Sequence, residues 1–352
     1  MLALIMFWQR IMKKYIFGII SFVLIISLLG IGGEIATRVY HHLKYTKNQS
    51  SGKSITLDEE LGWLPASNYV FNADKIDASG TSYSVKIQAN NDGLRIFGNP
   101  QEENKKKVLF LGDSFTHAIE VSDNKTYYGI LQNTLSIEVF AIGVRGYGTL
   151  QEYMILEKYV DEIRPDIIII QFHSNDFGNN YYELELRSPW HNNAMRRPYL
   201  TKNGIVYRLP KKFPAIRHII NKYSRFLYAI IARIDLLKAI HTKPVESIIA
   251  EKGMSYPFFR DSVEITEQLI KKIKLRVPST TQVYAFSADG INPFYDELKR
   301  ISEINGIYFI DGIPQAVDSA KIATRAEDNS HWNEAGHQIA ANVLEHYFEA
   351  NW

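Results

Sequence analysis

Val108-Leu-Phe-Leu-Gly-Asp-Ser-Phe-Thr116 is the stretch on which the fold turns. Four apolar residues make a short buried strand, Gly112 and Asp113 break it, and Ser114 opens a helix-like segment. A sharp turn after a parallel strand presents one side chain at the sheet's carboxyl edge and leaves the next backbone N–H groups free at a helix start. A serine held there is exposed, and its own amide can donate to an oxyanion. On these residues alone, a strand-ending turn with a capping serine is an equally good reading.

On either side the pattern repeats. Val139 to Ile142, Ile167 to Phe172, Val283 to Phe286 and Ile307 to Ile310 are short apolar runs rich in β-branched and aromatic residues. They alternate with helical periodicity at 125–135, 149–164 and 262–276, with Thr149 and Ser262 expected as N-caps and Pro165 and Pro278 as stops. This alternation predicts an α/β fold, a three-layer α/β/α sandwich on a central parallel sheet of about five strands. A last helix from about Glu334 stacks Ile339, Val343 and Tyr347 beside Ala340, Leu344 and Phe348, an apolar stripe to pack on that sheet. Residues 177–260 break the alternation, being far longer than a crossover requires. They hold Tyr181, Tyr182, Trp190, Arg196, Arg197 and Tyr199, then a helical run from Tyr223 to Ile240. An insertion over the sheet's carboxyl edge, where a doubly wound sheet places its ligand, is expected.

Ahead of this domain (105–352) the chain divides into four pieces. Residues 1–14 form a basic, cytoplasmic N-terminus, and 15–33 (YIFGIISFVLIISLLGIGG) carry no charge. As a helix, those residues would span about 28 Å, close to a bilayer's hydrocarbon core. Arg10, Lys13 and Lys14 precede them, which favours a translocated remainder and an extracytoplasmic (periplasmic or extracellular) main domain. A cleaved signal peptide or a buried core helix would share the composition, although GIGGEIATRV offers a poor cleavage site, and Met12 is an alternative start. Residues 34–55 read as a linker, whose polar stretch is Tyr45 to Lys53, and 56–104 as a β-rich extension with turns at Ala78-Ser79-Gly80 and Asn91-Asp92-Gly93.

Bulk composition excludes several classes. With 40 basic and 38 acidic side chains the net charge is +2, which gives no electrostatic footprint for a nucleic-acid partner. No cysteine is present, so disulfides, thiolate metal sites and a cysteine nucleophile are excluded. At 46% hydrophobic and 12% aromatic residues the chain can bury a large core. Lys105-Lys106-Lys107 reads as a solvated loop, and nothing indicates an oligomeric state.

The second chemical signal is Asp328-Asn-Ser-His331, in a polar loop before the last helix. A serine hydroxyl is a poor nucleophile until a base takes its proton, and the base needs a carboxylate to fix its tautomer. Asp328 and His331 can reach each other in a turn and return to the sheet edge beside Ser114. A surface-loop histidine is the competing reading for His331 alone. His117 is expected to cap or pack, His337 to lie on the surface, and Arg145 and Arg197 to be solvated or ion-paired, or to meet an anionic or sugar substrate. No set of His, Asp and Glu has metal-site spacing, so neither metal nor cofactor is expected.

Over 105–350 the chain resembles the SGNH (GDSL-type) hydrolase superfamily. The matching blocks are Gly112-Asp113-Ser114-Phe115, Gly146 within Gly143-Val-Arg-Gly146-Tyr-Gly148-Thr149, Asn175 within His173-Ser174-Asn175-Asp176, and Asp328 to His331. This is not the Gly-x-Ser-x-Gly elbow of α/β-hydrolases, since Phe115 and Thr116 follow Ser114. The resemblance implies a flavodoxin-like fold, a Ser114–His331–Asp328 triad, and an oxyanion hole from the Ser114 amide, the Gly146 amide and the Asn175 side chain. In isolation, Gly146 would be an ordinary turn glycine and Asn175 a loop cap. His173 stands where the family usually has glycine. The expected function is a membrane-anchored serine ester hydrolase acting on an acylated small molecule, glycan or lipid. O-acyl transfer to an envelope polysaccharide, or a non-catalytic assembly or glycan-binding role, are the alternatives.

Overall fold

The computed structural model describes residues 2–48, 54–188 and 195–351. The chain opens with helix α1 (Leu2–Asn48). Strands β1 (Ile55–Asp58), β2 (Gly62–Pro65), β3 (Val70–Ile76), β4 (Ser82–Gln88) and β5 (Ile96–Phe97) follow. Next come β6 (Lys106–Gly112), α2 (Ser114–His117), α3 (Tyr127–Thr134), β7 (Ile137–Gly143), α4 (Thr149–Ile163) and β8 (Ile167–Phe172). Short helices α5 (Asn175–Asn180) and α6 (Tyr182–Glu185) lead to the hairpin of β9 (Arg197–Thr201) and β10 (Gly204–Arg208). The remainder is α7 (Pro214–Tyr223), α8 (Arg225–His241), α9 (Val245–Lys252), α10 (Pro257–Arg276), β11 (Gln282–Ser287), α11 (Phe294–Ile304), β12 (Tyr308–Phe309), α12 (Ile313–Asp318) and α13 (Glu334–Asn351).

These elements fall into two compact units, one drawn from residues 1–50 and 213–242, the other from 51–212 and 243–352. The larger unit is built on a six-stranded sheet ordered β12-β11-β8-β6-β7-β5. Five strands are parallel, and β5 adds an antiparallel edge by pairing Ile96 with Ala141 and Phe97 with Phe140. Strand alternation sends Leu109 and Leu111 into one core layer and Val108 and Phe110 into the other, so both faces are covered. From β6 the chain steps to β7 on one side and then crosses to β8 on the other. The carboxyl end of β6 is therefore the topological switch point, where this architecture opens a crevice.

Several details differ from the sequence reading. Ser262 lies inside α10, fully buried, and its hydroxyl donates to the Phe177 carbonyl. Pro257 starts that helix instead, its ring presetting the first helical φ. Thr149 is the first residue of α4 rather than its cap, and its Oγ1 accepts from Asn180 Nδ2 at 3.1 Å. Helix α1 continues through Gly33 to Asn48, so Tyr45 to Asn48 are helical, while 49–53 of the expected linker lie outside the described residues. Trp190 also lies outside them. Of the insertion, residues 213–242 belong to the unit of α1, while 177–188, 195–212 and 243–260 belong to the larger unit.

Gly112, the last residue of β6, has no room for a side chain. A Cβ there would stand 2.4 Å from both Gln171 Oε1 and Thr116 Oγ1. Those atoms are fixed by a mutual hydrogen bond of 2.9 Å and cannot swing away cheaply. Gly112→Ala should therefore cost about 1–3 kcal/mol of stability, the usual range for overpacking. A lowered urea midpoint with an unchanged slope is the expected result; an unchanged midpoint would contradict the packing.

Candidate active site

Ser114 begins α2 directly after β6, and Asp113 supplies the turn. Asp113 is fully buried, and its Oδ1 accepts from Phe115 N at 3.0 Å, capping the short helix. From neighbouring β8, Gln171 Oε1 accepts from Asp113 N at 3.2 Å and Thr116 N at 3.1 Å. The turn is thus held from two sides, while Ser114 itself stays partly exposed.

Asp328 and His331 arrive from the far end of the chain. His331 Nε2 lies 2.8 Å from Ser114 Oγ, and His331 Nδ1 lies 2.5 Å from Asp328 Oδ2. The other Asp328 oxygen accepts from the Ser330 and His331 amides at 2.9 and 3.0 Å, so the carboxylate is anchored by its own loop. Burial opposes charge on His331, but the hydrogen bond and charge of Asp328, joined by Asp113 and Glu120, hold it above the ordinary histidine value. Asp328 is held well below the ordinary carboxylate range, first by its hydrogen bond to His331. Next to His331, Trp332 is fully buried against Phe115, with ring centroids 4.9 Å apart. Asn333 closes the loop, donating to Ala323 O at 2.9 Å and accepting from Gly336 N at 3.0 Å.

The β3–β4 hairpin reaches this loop from the other side. Ala78 N donates to Arg325 O at 3.0 Å, beside a bridge between Asp77 and Ala326. Lys75 pairs with Glu120 at 2.5 Å and donates to Ile119 O at 2.7 Å, gripping the segment just past α2. Arg95, nearly buried, bonds Asp123 and the carbonyls of His117, Ala118 and Val121. No motif announces these contacts, because each is a single residue in the extension meeting a backbone carbonyl or lone carboxylate.

The expected oxyanion donors hang from three adjacent strand ends: Ser114 after β6, Gly146 after β7 and Asn175 after β8. Gly146 has φ +75°, a backbone state that favours glycine. His173, the departure from the family pattern, stacks on Phe115 at 5.2 Å and lies 2.6 Å through Nδ1 from Asn175 Oδ1. Asn175 N also faces that nitrogen at 3.3 Å, but one nitrogen cannot donate to Oδ1 and accept from N together. The tautomer decides between the two contacts. His173 Nε2 in turn lies 3.2 Å from Asp289 Oδ2.

The remaining candidates sort by burial. His117 is buried, and its Nδ1 accepts weakly from Arg145 N at 3.4 Å, while Arg145 itself is exposed. Arg197 is fully buried, 3.2 Å from Glu185 and over the Trp63 ring. His337 is buried rather than on the surface. Its position in α13 faces the sheet with Ala340, Ala341 and Leu344, and its Nδ1 accepts from Tyr127 N, an otherwise orphaned donor at the start of α3. Sequence reasoning also missed two acids behind Asp113. Burial, then the charge of Asp113, pushes Glu152 and Asp176 well above the ordinary carboxylate range. Among the described residues one group has metal-ligand reach, Glu120 with Asp328 and His331, within 4.8 Å of one another. It does not fit an ion, because Glu120 is paired to Lys75 and both Asp328 oxygens and both His331 nitrogens already have partners.

With this geometry in view, comparison with known proteins gives the class. The family model for GDSL-like lipases and acylhydrolases matches residues 108–344. The chain belongs to this family, with the SGNH hydrolase fold, and is a hydrolase acting on ester bonds. Similar solved structures include the psychrotrophic esterase EstA from Pseudoalteromonas sp., 9% identical, covering 70% of this chain and 98% of that one, with a TM-score of 0.41. A lipase/acylhydrolase from Enterococcus faecalis is 12% identical, covering 70% and 96%, with a TM-score of 0.39. The acetylxylan esterase Axe2 from Geobacillus stearothermophilus, as a catalytic mutant, is 13% identical, covering 68% and 93%, with a TM-score of 0.37. Among curated proteins none matches the chain.

The two buried histidines set an acid limit to stability. Burial lowers both His117 and His337 to about 3, from an ordinary 6.5. Below pH 6.5 the unfolded chain binds protons that the native chain refuses until about pH 3, so acidification through that window favours unfolding. Each histidine should contribute a slope of about 1.4 kcal/mol per pH unit. His337→Asn keeps an acceptor for Tyr127 N and should flatten the fall in stability between pH 6 and 4 by roughly that amount. An unchanged slope in thermal unfolding would contradict the burial of His337.

Proposed function

We propose that the protein is a membrane-anchored, extracytoplasmic serine esterase that cleaves O-acyl esters through Ser114, His331 and Asp328. The observation carrying this reading is the unbroken chain of contacts, 2.8 Å from Ser114 to His331 and 2.5 Å from His331 to Asp328. His331 Nε2 takes the proton as Ser114 Oγ attacks the acyl carbon, and Asp328 stabilises the imidazolium that forms. The proton then passes to the departing alkoxide, leaving an acyl-enzyme on Ser114. Water, deprotonated by the same nitrogen, releases the acid and restores the serine.

The Ser114 and Gly146 amides and Asn175 Nδ2 are assigned to the oxyanion, each fixed donor being worth roughly 2.7–4 kcal/mol. His173 is a positioning residue that holds Asn175 through its contacts at Nδ1. The anchor is α1, whose stretch Met12–Leu43 is long and apolar enough to cross a membrane. Arg10, Lys13 and Lys14 favour its N-terminus on the cytoplasmic side. Tethering there suits an acylated envelope glycan or lipid as substrate.

Ser114→Ala and His331→Ala should each lower kcat by on the order of 10⁴–10⁶, and the double variant by little more, since the two act as one unit. Full esterase activity in Ser114→Ala would end the proposal. The base must be neutral to act, so the acid limb of kcat/KM should lie above pH 6.5, and Asp328→Asn should move it down while lowering kcat. A limb that stays in place would detach Asp328 from His331.

Asn175→Ala should lower kcat by roughly 10²–10³ with little change in KM. If His173 acts through Asn175, His173→Ala should also lower kcat but add nothing to Asn175→Ala. Additive losses would assign His173 a separate role.

A further inference from the structure

Resting on the reading of α1 as a membrane anchor, we infer that α7 and α8 form an interfacial module that lies in the headgroup layer of an anionic bilayer, beside the point where α1 leaves the hydrocarbon. The smaller unit supplies the observations. Ser224 Oγ and the amides of Arg225 and Phe226 all donate to the Glu34 carboxylate, at 2.8, 3.1 and 3.0 Å. An acid on α1 thus caps the first turn of α8, a site where orphan N–H groups and the helix dipole both favour negative charge. Phe226 packs so closely on Gly33 that a Cβ there would stand 2.6 Å from its ring. The docking point is therefore residues 33 and 34, where the charge-free run of α1 ends.

From that point the two helices present apolar stripes that no described residue of the unit covers. Ile216, Ile219 and Tyr223 share one face of α7, and Leu227, Ile230 and Ile234 one face of α8, all exposed. Tyr223 is 70% exposed and Ile219 55%, far more than isolated surface residues require. The bidentate Arg217–Asp235 pair, at 2.6 and 3.2 Å, ties the two helices together and spends the module's only acid. Residues 213–242 hold five Lys and Arg against that one Asp, a net charge of +4 with histidine neutral. Apolar stripes with basic side chains on a short helix pair are the composition of an element lying in a membrane interface. The long stems of Lys222, Arg225, Arg233 and Lys238 can bury methylenes there while their charges reach lipid phosphates. A soluble partner would have to match both the stripes and the charge; the bilayer that holds α1 supplies both at the docking point.

Because the chain has no cysteine, single Cys substitutions give clean probe sites. Full-length protein carrying Val23→Cys, Ile219→Cys or Ile234→Cys, each labelled with a polarity-sensitive fluorophore, is reconstituted in phosphatidylethanolamine–phosphatidylglycerol vesicles. Nitroxide-bearing lipid should quench all three labels, and aqueous iodide should quench none strongly. Replacing phosphatidylglycerol with phosphatidylcholine should weaken lipid quenching at Ile219 and Ile234 while leaving Val23 unchanged; equal quenching in both lipids would overturn the anionic preference. Lipid quenching at Val23 with iodide quenching at Ile219 and Ile234 would overturn the module and keep the anchor. Shielding of Ile219 and Ile234 from both quenchers would mean a protein partner and would also overturn it. Iodide quenching at Val23 would remove the anchor reading itself, and the module with it.

Discussion

The contact that organises the larger unit is the one between Ser114 Oγ and His331 Nε2, made by residues 217 apart in the chain. Closing so long a loop costs conformational entropy that this one contact cannot repay. The sheet pays that cost instead. Pairing β6 between β7 and β8 fixes Ser114 at the switch point, and α13, packed on the same sheet, delivers the preceding loop to it. Trp332 against Phe115 is the apolar lock one residue from each partner. The polar contact is therefore a consequence of packing, and its geometry is set before any substrate arrives.

Charge is distributed around that contact by burial. Asp328 is anchored by backbone amides on one oxygen and spends the other on His331, which keeps the histidine oriented and its charged form favoured. His117 and His337, buried nearby, are pushed the opposite way and serve as neutral acceptors for backbone N–H groups. Three histidines within one region thus have two kinds of role, decided by whether a carboxylate or a backbone amide faces the ring. The family match begins at Val108, yet the extension before it contributes Lys75, Ala78 and Arg95 to the loops on either side of the site.

Much of this was legible in the sequence, and the limits were physical. Four of the parallel strands stood out because each is a short apolar run between helical stretches, buried on both faces, and β12 lay within the apolar run Ile307 to Ile310, of which only Tyr308 and Phe309 pair. The antiparallel β5 did not stand out, because Ile96 and Phe97 stand alone between Arg95 and Gly98 with no longer apolar run around them. Ser114, Asp328 and His331 could be picked out because chemistry demands those types at strand ends and loops, and the structure brings them together. His337 could not, since a histidine facing a core from a helix has the same local pattern as one facing water. Ser262 was misread for a similar reason: a cap and a buried hydroxyl are the same letter, and Pro257 carried the better start signal. The placement of residues 213–242 with α1 depends on Glu34 and Gly33 meeting Ser224 to Phe226, a contact between segments about 190 residues apart that no local pattern encodes.

The central claim is that one serine, activated by one histidine, does the chemistry. Intact-mass and peptide mapping of the full-length protein after a fluorophosphonate probe tests this most directly. The account predicts one adduct per chain, on Ser114, that fails to form in a folded His331→Ala variant. An adduct on a different residue, or undiminished labelling of Ser114 without His331, would contradict it.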